Sequence, residues 1–452
     1  MNKKKELYVT LAGLAIPMAL QSLITFGVSM ADNIMVGNLG DTALSGVFIS
    51  NQVQNILQMF TGGVSSAMIV LASQYMGRED TDKAKTIISI AMKICTAVGV
   101  LCTAAVLLLP RQILGLFIKD QPVINEGMKY IRIIAWTYLP FCINSVLLGA
   151  MRCVGSTRIG LYSSVGSLVI NVGLNWVLIY GNLGAPALGV RGAAIATLIA
   201  RAAELLISFI YVRFMDKELL LRFKDLKRRS MLLIRDFVRY GFPLILGDLI
   251  WGIAGSVQVA ILGRLGSQVV SANTVAGNLS QTFGVAVYSI AAASGIIVGR
   301  MVGAGEIDKL KASVKPLQKI FLTFGIATGA ITFLCKDIII NTAFSELTVQ
   351  AHDYAVQFLT VLSITIIGTA YQMSVLTGIV RAGGATDFVL KNDLFWVWVV
   401  VIPSALLAAF VFHAPPVVVF LCLKSDQILK CIVAVIKLNR FDWIKMLTRD
   451  EA

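Results

Sequence analysis

The sequence predicts an all-α integral membrane protein, with twelve transmembrane helices in two six-helix parallel repeats around a central cavity. Three observations support this fold class. Of the 452 residues, 57% are hydrophobic and only 14% are charged; the hydrophobic residues occur in long blocks; and one sequence pattern occurs twice. In a hydrophobic chain, such an internal repeat is typical of two lobes that enclose a site near the middle of the membrane.

Twelve hydrophobic blocks make up most of the chain, and each is close to or above the roughly 20 residues that a helix needs to cross a bilayer. Every block is predicted to be helical, because lipid offers no partner for an unpaired backbone N–H or C=O group. The blocks span residues 8–36, 43–73, 84–109, 124–150, 159–181, 188–212, 236–264, 269–299, 310–335, 348–380, 388–412 and 415–437.

The repeat relates the two halves of the chain. Pro17 recurs 226 residues later as Pro243, and 226 is half of the chain length. After a slip of three residues, Gly149-x-x-Arg152-x-x-Gly155-x-Thr157 returns as Gly378-x-x-Arg381-x-x-Gly384-x-Thr386. Six spans per repeat is an even number, so both copies enter the membrane in the same orientation. Each proline lies in the first helix of its repeat, where we expect a kink that is either fixed or a moving hinge.

The repeat and the charged stretches divide the chain into predicted domains. The N-terminal lobe covers residues 1–212 and contains the first six spans. The C-terminal lobe covers residues 236–440 and contains the other six. Residues 213–235, which are dense in Lys, Arg, Glu and Asp, form the predicted linker between the lobes, and residues 441–452 form the tail.

The net charge of +14 follows from membrane topology, and no nucleic-acid partner is expected. The termini and every second connection, including residues 213–235, carry 26 Lys and Arg, against 5 on the other connections. This asymmetry follows the positive-inside rule. Both termini and the linker are therefore predicted to be cytoplasmic, in a multi-pass protein of the plasma (cell inner) membrane.

The sequence lacks the patterns that indicate catalysis or a metal centre. Its two histidines, His352 and His413, are far apart, and none of its seven cysteines is paired at metal-ligand spacing. Neither a Ser-His-Asp triad nor a histidine-based metal site is indicated. We therefore expect no enzyme activity and no cofactor other than a coupling ion.

Asp32 is the leading candidate for a functional residue. It lies in the outer half of the first helix, with no Lys or Arg three or four positions away. Charge within a membrane span is costly and by default marks a functional site. Asn171 and Asn175 share one helix face, and Thr197 adds a hydroxyl from the next span. Together these groups are suited to hold Na⁺, or a proton on Asp32, although Asn-x3-Asn alone usually indicates interhelical hydrogen bonding.

The second lobe offers a weaker candidate site. Asp248 has no local partner and lies five residues after Pro243, early in the seventh helix. Asp393 is predicted to open the eleventh helix, where a role in a cavity competes with N-capping or with reaching toward the membrane surface. In two other pairs, the acidic and the basic residue are three or four positions apart and can form an ion pair on one helix face. These are Arg201/Glu204 and Asp426/Lys430.

Several motifs together resemble the multidrug and toxic compound extrusion (MATE) family. The first-helix stretch Met30-Ala31-Asp32-Asn33-Ile34-Met35-Val36-Gly37-Asn38-Leu39-Gly40 is similar to the signature of that family. So are the Gly149 motif given above, Asn171-x3-Asn175-x4-Tyr180-Gly181, and Gly241-x-Pro243 at the start of the second repeat. The resemblance extends from about residue 8 to residue 440.

This resemblance implies a two-lobed, twelve-helix antiporter that exports amphipathic, often cationic compounds in exchange for Na⁺ or H⁺. It implies an ion site in the first lobe formed by Asp32, Asn171, Asn175 and Thr197. Some branches of the family carry an aspartate where this chain has Asn175, which weakens the case for a proton relay of two carboxylates. Asp248 is the candidate counterpart of a seventh-helix glutamate in many relatives.

The sequence therefore predicts a cation-coupled multidrug exporter that works by alternating access as a monomer. Its expected partners are small amphipathic substrates and membrane lipids. The alternative is a flippase for lipid-linked precursors, which belongs to a related family. An anionic lipid carrier needs a cavity rich in Arg and Lys, whereas the helices of the first lobe offer mainly Asp32.

Overall fold

A computed structural model describes residues 3–343 and 347–449; the last three residues of the predicted tail, 450–452, lie outside them. Within the described chain, eleven helices are long and apolar enough to cross a membrane. They are α1 (Lys5–Gly37), α2 (Asp41–Gly77), α3 (Thr81–Leu108), α4 (Gln121–Cys153), α5 (Arg158–Tyr180), α6 (Val190–Met215), α7 (Met231–Gly263), α8 (Ser267–Gly303), α9 (Ile307–Thr342), α10 (Val349–Val380) and α11 (Thr386–Val411).

The twelfth hydrophobic block is helical but interrupted. It forms the helices Pro416–Lys424 and Asp426–Arg440, which we call α12 together. Between them, the Ser425 hydroxyl donates a hydrogen bond to the Cys422 carbonyl at 2.7 Å. Such a side-chain bond competes with the helical backbone pattern. The prediction of an all-α membrane protein is confirmed within the described residues, with eleven candidate spans and a twelfth block that forms two shorter helices.

Equivalent turns of the two repeats share an unusual backbone conformation. The loop after α1 ends at Gly40 with φ +107°, and the loop after α7 ends at Gly266 with φ +124°. The turns that follow α4 and α10 likewise place Gly155 and Gly384 at φ +78° and +98°. Glycine adopts this left-handed region without the steric cost that other residues meet. The repeated glycines thus mark turns of the same kind in both halves.

The chain forms two compact units. One contains residues 17–72 and 80–241; the other contains residues 3–16, 73–79 and 242–449. Within α1 the division falls directly before Pro17, and within α7 it falls next to Pro243. Both prolines therefore lie where the chain passes from one packing unit to the other. Their action as hinges, and the predicted lobe boundaries, remain predictions.

Close packing of α5 against α6 positions the polar residues of the first repeat. At Gly192, near the start of α6, an added Cβ would lie only 2.4 Å from the Leu178 carbonyl oxygen of α5. A side chain at this point would force the two helices apart. The small residues that follow, Ala193, Ala194 and Ala196, are also buried. This contact brings Thr197 of α6 beside the asparagines of α5.

Candidate ion site and the charged clusters of the two repeats

The four residues predicted to form an ion site in the first repeat lie together, and we call them the N cluster: Asp32, Asn171, Asn175 and Thr197. The Asn175 amide donates to the Asp32 carboxylate, and its nitrogen lies 3.2 Å from the Asn171 Oδ1. The Asn171 amide donates in turn to the Thr197 hydroxyl at 3.3 Å, and that hydroxyl donates to the Ala193 carbonyl at 3.0 Å. A continuous chain of hydrogen bonds thus leads from α1 through α5 to α6.

Burial differs along the N cluster. Asn171 and Asn175 are 1% and 0% exposed, whereas Asp32 and Thr197 are partly exposed. The carboxylate is therefore accessible to a small ion, while the amides that hold it are fixed inside the protein. Tyr130, which is also buried, interacts with Thr197 from α4 and closes that end of the cluster.

The charge of Asp32 is not neutralised by an ion pair within the described residues. Arg201 lies close enough to interact electrostatically with Asp32, but its guanidinium pairs with Glu204 at 2.8 Å. This is the self-neutralising pair that the sequence predicts. When Asp32 is ionised, the N cluster has one net negative charge inside a membrane span, where an uncompensated charge is costly.

One polar atom of the N cluster lacks a partner. The Asn175 Oδ1 is buried and has no hydrogen-bond partner among the described residues, and leaving such an oxygen unpaired costs free energy. A carboxylate, this free amide oxygen, the Asn171 amide and the Thr197 hydroxyl together fit a small monovalent cation or a proton. The described residues contain no group of three or more His, Cys, Asp or Glu side chains suited to a metal ion.

Three acidic residues of the second repeat lie beside cations. Asp248 of α7 lies 3.4 Å from the Arg381 guanidinium, directly after α10. Lys430 of α12 lies 2.8 Å from Asp393 and 3.2 Å from Asp426. We call these five residues the C cluster. The predicted pair of Asp426 and Lys430 is present, with Asp393 as a third member.

Asp393 is not an N-cap, which was one of its predicted roles. Helix α11 begins at Thr386, two turns earlier, because the chain enters it directly from the turn at Gly384. The Asp393 side chain instead contacts Lys430, which is only 4% exposed. A buried ammonium group needs a carboxylate partner, and two such partners lie beside it.

Sequence reasoning missed the role of Arg381 and of its counterpart Arg152. The Arg152 guanidinium donates to the Gln21 side-chain oxygen at 3.1 Å, whereas Arg381 pairs with Asp248. Both arginines occupy the same position of the repeated glycine motif. Their recurrence is a signal for a shared role, but the sequence does not show that each contacts the first helix of its own repeat.

The structure resembles solved transporters along nearly its full length. It matches a crystal structure of MATE in the bent conformation with a TM-score of 0.86 and 19% identity, covering 97% of each chain. A MOP superfamily transporter from Pyrococcus furiosus, described for the reverse polarity of its binding pocket, matches with a TM-score of 0.86 and 19% identity, covering 99% and 98%. At this level of identity the likeness shows the fold alone.

Relatives at the sequence level have drug-resistance names. The probable multidrug resistance protein NorM of Rhizobium meliloti (strain 1021) is 27% identical over 323 residues, which are 70% of this chain and 67% of that protein. The probable multidrug resistance protein YoeA of Bacillus subtilis (strain 168) is 22% identical over 413 residues, or 89% and 87% of the two chains.

The family assignment rests on a family model, MatE, that matches residues 17–177 and again 243–407. The two matches begin at Pro17 and Pro243, the residues at which the repeat was recognised, and together they cover more than half of the chain. This protein therefore belongs to the MATE family, whose members are secondary membrane transporters and not enzymes.

Proposed function

We propose that the protein is a cation-coupled antiporter of the plasma membrane that exports amphipathic, cationic drugs or metabolites. The observation that carries this proposal is the N cluster. Its one carboxylate, Asp32, is inside a membrane span and held by neutral amides without an ion pair. Such a site takes up and releases a monovalent cation more readily than one with a built-in cation. The names of the NorM relatives support drugs as the substrate class.

Coupling follows from preferential binding of the ion to one conformation. When Na⁺ or H⁺ binds at Asp32, it shifts the balance between inward-open and outward-open states toward the state that binds it better. A tenfold difference in affinity between the two states corresponds to about 1.4 kcal/mol. An ion gradient thus drives export of a cationic substrate that competes for the same negative charge.

Topology completes the proposal. The excess of Lys and Arg on alternate connections favours cytoplasmic termini and a cytoplasmic loop between α6 and α7. Ions would then reach Asp32 from the outer side, because this residue lies toward the end of α1 that is remote from the N-terminus. We expect the transporter to act as a monomer surrounded by membrane lipids.

The test is uptake of a fluorescent organic cation into proteoliposomes under an imposed Na⁺ or pH gradient. Wild type is compared with Asp32→Asn and with Asp41→Asn, which makes the same change at an exposed residue in the first turn of α2. We expect transport with one of the gradients, its loss in Asp32→Asn, and its retention in Asp41→Asn. The gradient that drives transport identifies the coupling ion.

Two results would contradict the proposal. Full gradient-driven transport by Asp32→Asn would show that the N cluster does not couple. Failure to move any organic cation, together with translocation of a fluorescent lipid-linked precursor between leaflets, would favour the flippase alternative. The C cluster offers less to an anionic lipid carrier than its charges suggest, because Arg381 and Lys430 already pair with carboxylates.

A further inference from the structure

An apolar cavity of about 490 Å³ lies within the unit that contains residues 17–72 and 80–241. Its walls come from α3 (Met92), α4 (Ile143), α6 (Phe209) and the loop 216–230 between α6 and α7, which contributes Leu221. The volume falls in the range of about 300–1,000 Å³ that is usual for small-molecule sites. None of these residues belongs to the N cluster or the C cluster, so the cavity is separate from the proposed ion site.

The loop 216–230 is fixed to α3 and forms a stable wall of this cavity. The Ser89 hydroxyl donates to the Leu226 carbonyl at 2.7 Å, and the Lys93 ammonium group donates to the Arg228 carbonyl at 2.6 Å. The Arg228 guanidinium also pairs with Asp82 at 2.8 Å. Three contacts along three turns of one helix hold the loop, so the cavity has a defined shape without a ligand.

Two arginines line the cavity without an ion pair to a described carboxylate: Arg213, in the last turn of α6, and Arg222 in the loop. Both side chains are exposed. The loop's own buried acids are already engaged. Asp216 accepts hydrogen bonds from loop backbone N–H groups, and Asp225 pairs with Arg228 at 2.9 Å.

Asp225 is ionised, but its charge is used within the loop and does not neutralise Arg213 or Arg222. Burial works against its charged form, but the Arg222 backbone N–H and the Arg228 guanidinium outweigh that effect and hold its pKa below the usual range. Asp225 thus stays ionised and directed into the loop. The guanidinium groups of Arg213 and Arg222 are left to a ligand that enters the cavity.

We propose that this cavity binds one anionic phospholipid, with an acyl chain among the apolar residues and the phosphate at Arg213 and Arg222. The position in the membrane supports this ligand, because most of the apolar wall residues belong to membrane spans and Arg213 lies near the end of one. Basic pockets between transmembrane helices are known to bind anionic headgroups, and Arg suits phosphate through paired N–H donors. A cationic drug would be repelled by the same two arginines.

The experiment measures lipid binding to the purified full-length protein by native mass spectrometry. Delipidated protein is titrated with phosphatidylglycerol or with phosphatidylcholine of the same acyl chains. We expect wild type to bind one phosphatidylglycerol in preference to phosphatidylcholine. Arg213→Gln/Arg222→Gln should weaken phosphatidylglycerol binding by roughly 30-fold, since each basic residue near an anionic lipid contributes about one factor of five to six.

Two further variants make the test specific. Lys217→Gln/Lys224→Gln removes two charges from the same loop at exposed residues that do not line the cavity, and it should leave phosphatidylglycerol binding within about twofold of wild type. Ala202→Trp fills the cavity from an exposed position of α6 and should weaken the binding of both lipids. Circular dichroism and thermal unfolding of each variant establish that it is folded.

Three results would overturn the proposal. The first is equal binding of the two lipids by wild type. The second is an equal loss in the two double variants, which would indicate nonspecific attraction to a basic loop. The third is displacement of phosphatidylglycerol by a fluorescent organic cation, together with unchanged binding of that cation by Arg213→Gln/Arg222→Gln. This result would assign the cavity to a transported substrate.

Discussion

In the first repeat the membrane carboxylate, Asp32, is held by the amide of Asn175, whereas in the second repeat Asp393 and Asp426 lie on either side of Lys430 at 2.8 and 3.2 Å. Both arrangements satisfy the carboxylates with hydrogen bonds. They differ in the partner, because the carboxylate of the first has only neutral partners, whereas the two carboxylates of the second share one ammonium group.

This difference separates two uses of a buried acid. A carboxylate beside a fixed ammonium group has a permanent cationic partner, and removing that partner leaves the carboxylate without a counter-charge. A carboxylate held by amides keeps its affinity for a mobile cation. We therefore assign ion coupling to the N cluster and a structural role to the triad Asp393, Asp426 and Lys430, although the two repeats share one fold pattern.

The same contrast appears at equivalent positions of the repeat. The residue that corresponds to Asp32, 226 positions later, is Gln258, so the second repeat has no carboxylate at that point of its first helix. The arginine of the repeated glycine motif shows the opposite pattern. In the second repeat Arg381 pairs with Asp248, whereas in the first repeat Arg152 contacts an uncharged glutamine. In the second repeat, the acid of the first helix, Asp248, thus lies next to a cation.

The largest effect is expected from Lys430→Met, which would leave Asp393 and Asp426 facing each other without a cation. The pair of Lys430 and Asp426 is buried, whereas the Asp393 side chain is 40% exposed, and breaking a buried ion pair by removing one partner costs about 3–5 kcal/mol. We expect a marked fall in the midpoint of thermal unfolding in detergent. Lys437→Met is the control, because its partner Asp442 is half exposed and such a pair contributes about 0–1 kcal/mol. Equal shifts in the two variants would refute a structural role for the triad.

A smaller effect, on ion binding, is expected from Asn175→Ala. This change removes the amide that holds Asp32 and the buried oxygen that lacks a partner. With Na⁺ as the coupling ion, the loss of this oxygen ligand should raise the Na⁺ concentration for half-maximal transport roughly tenfold, which corresponds to about 1.4 kcal/mol. Asn144→Ala, at a buried asparagine of α4 outside the N cluster, should leave it unchanged. A similar rise in both variants would show a general loss of packing.

The two equivalent arginines provide a direct comparison between repeats. Arg381→Gln leaves Asp248 without its cation, whereas Arg152→Gln leaves only an uncharged partner. We expect the first to lower the free energy of unfolding by about 1–3 kcal/mol and the second by about 1 kcal/mol or less. Thermal unfolding of both variants, measured side by side, tests this order. If Arg152→Gln lowers the free energy of unfolding more than Arg381→Gln does, the ion pair with Asp248 does not explain the difference between the two repeats.

Much of this architecture follows from the sequence because it depends on local patterns. Hydrophobic length predicts the spans, and the Asn171 and Asn175 spacing predicts a shared face of α5. Two outcomes depend on packing between distant segments and do not follow from spacing. Lys430 contacts Asp393 across 37 residues, and Arg381 contacts Asp248 across 133. Helix α11 begins at Thr386, two residues before the predicted block, so Asp393 lies inside the helix and contacts Lys430.

The smallest effect is expected from Thr197→Val, which tests how far the N cluster extends from its carboxylate. Thr197 reaches Asp32 only through Asn171 and Asn175, so within the N cluster its hydroxyl accepts one neutral hydrogen bond, from the Asn171 amide. Losing a bond of this kind costs about 1 kcal/mol. The ion concentration for half-maximal transport should therefore rise roughly fivefold.

The control is Thr86→Val in α3, because the Thr86 hydroxyl donates only to the carbonyl of Asp82 in its own helix. Ion dependence that is unchanged in Thr197→Val but altered in Asn175→Ala would confine the site to α1 and α5. Ion dependence that is altered in both would extend it to α6. That outcome would also explain why the chain packs α5 so tightly against α6 at Gly192: the contact would set the distance between the ion's ligands as well as the stability of the lobe.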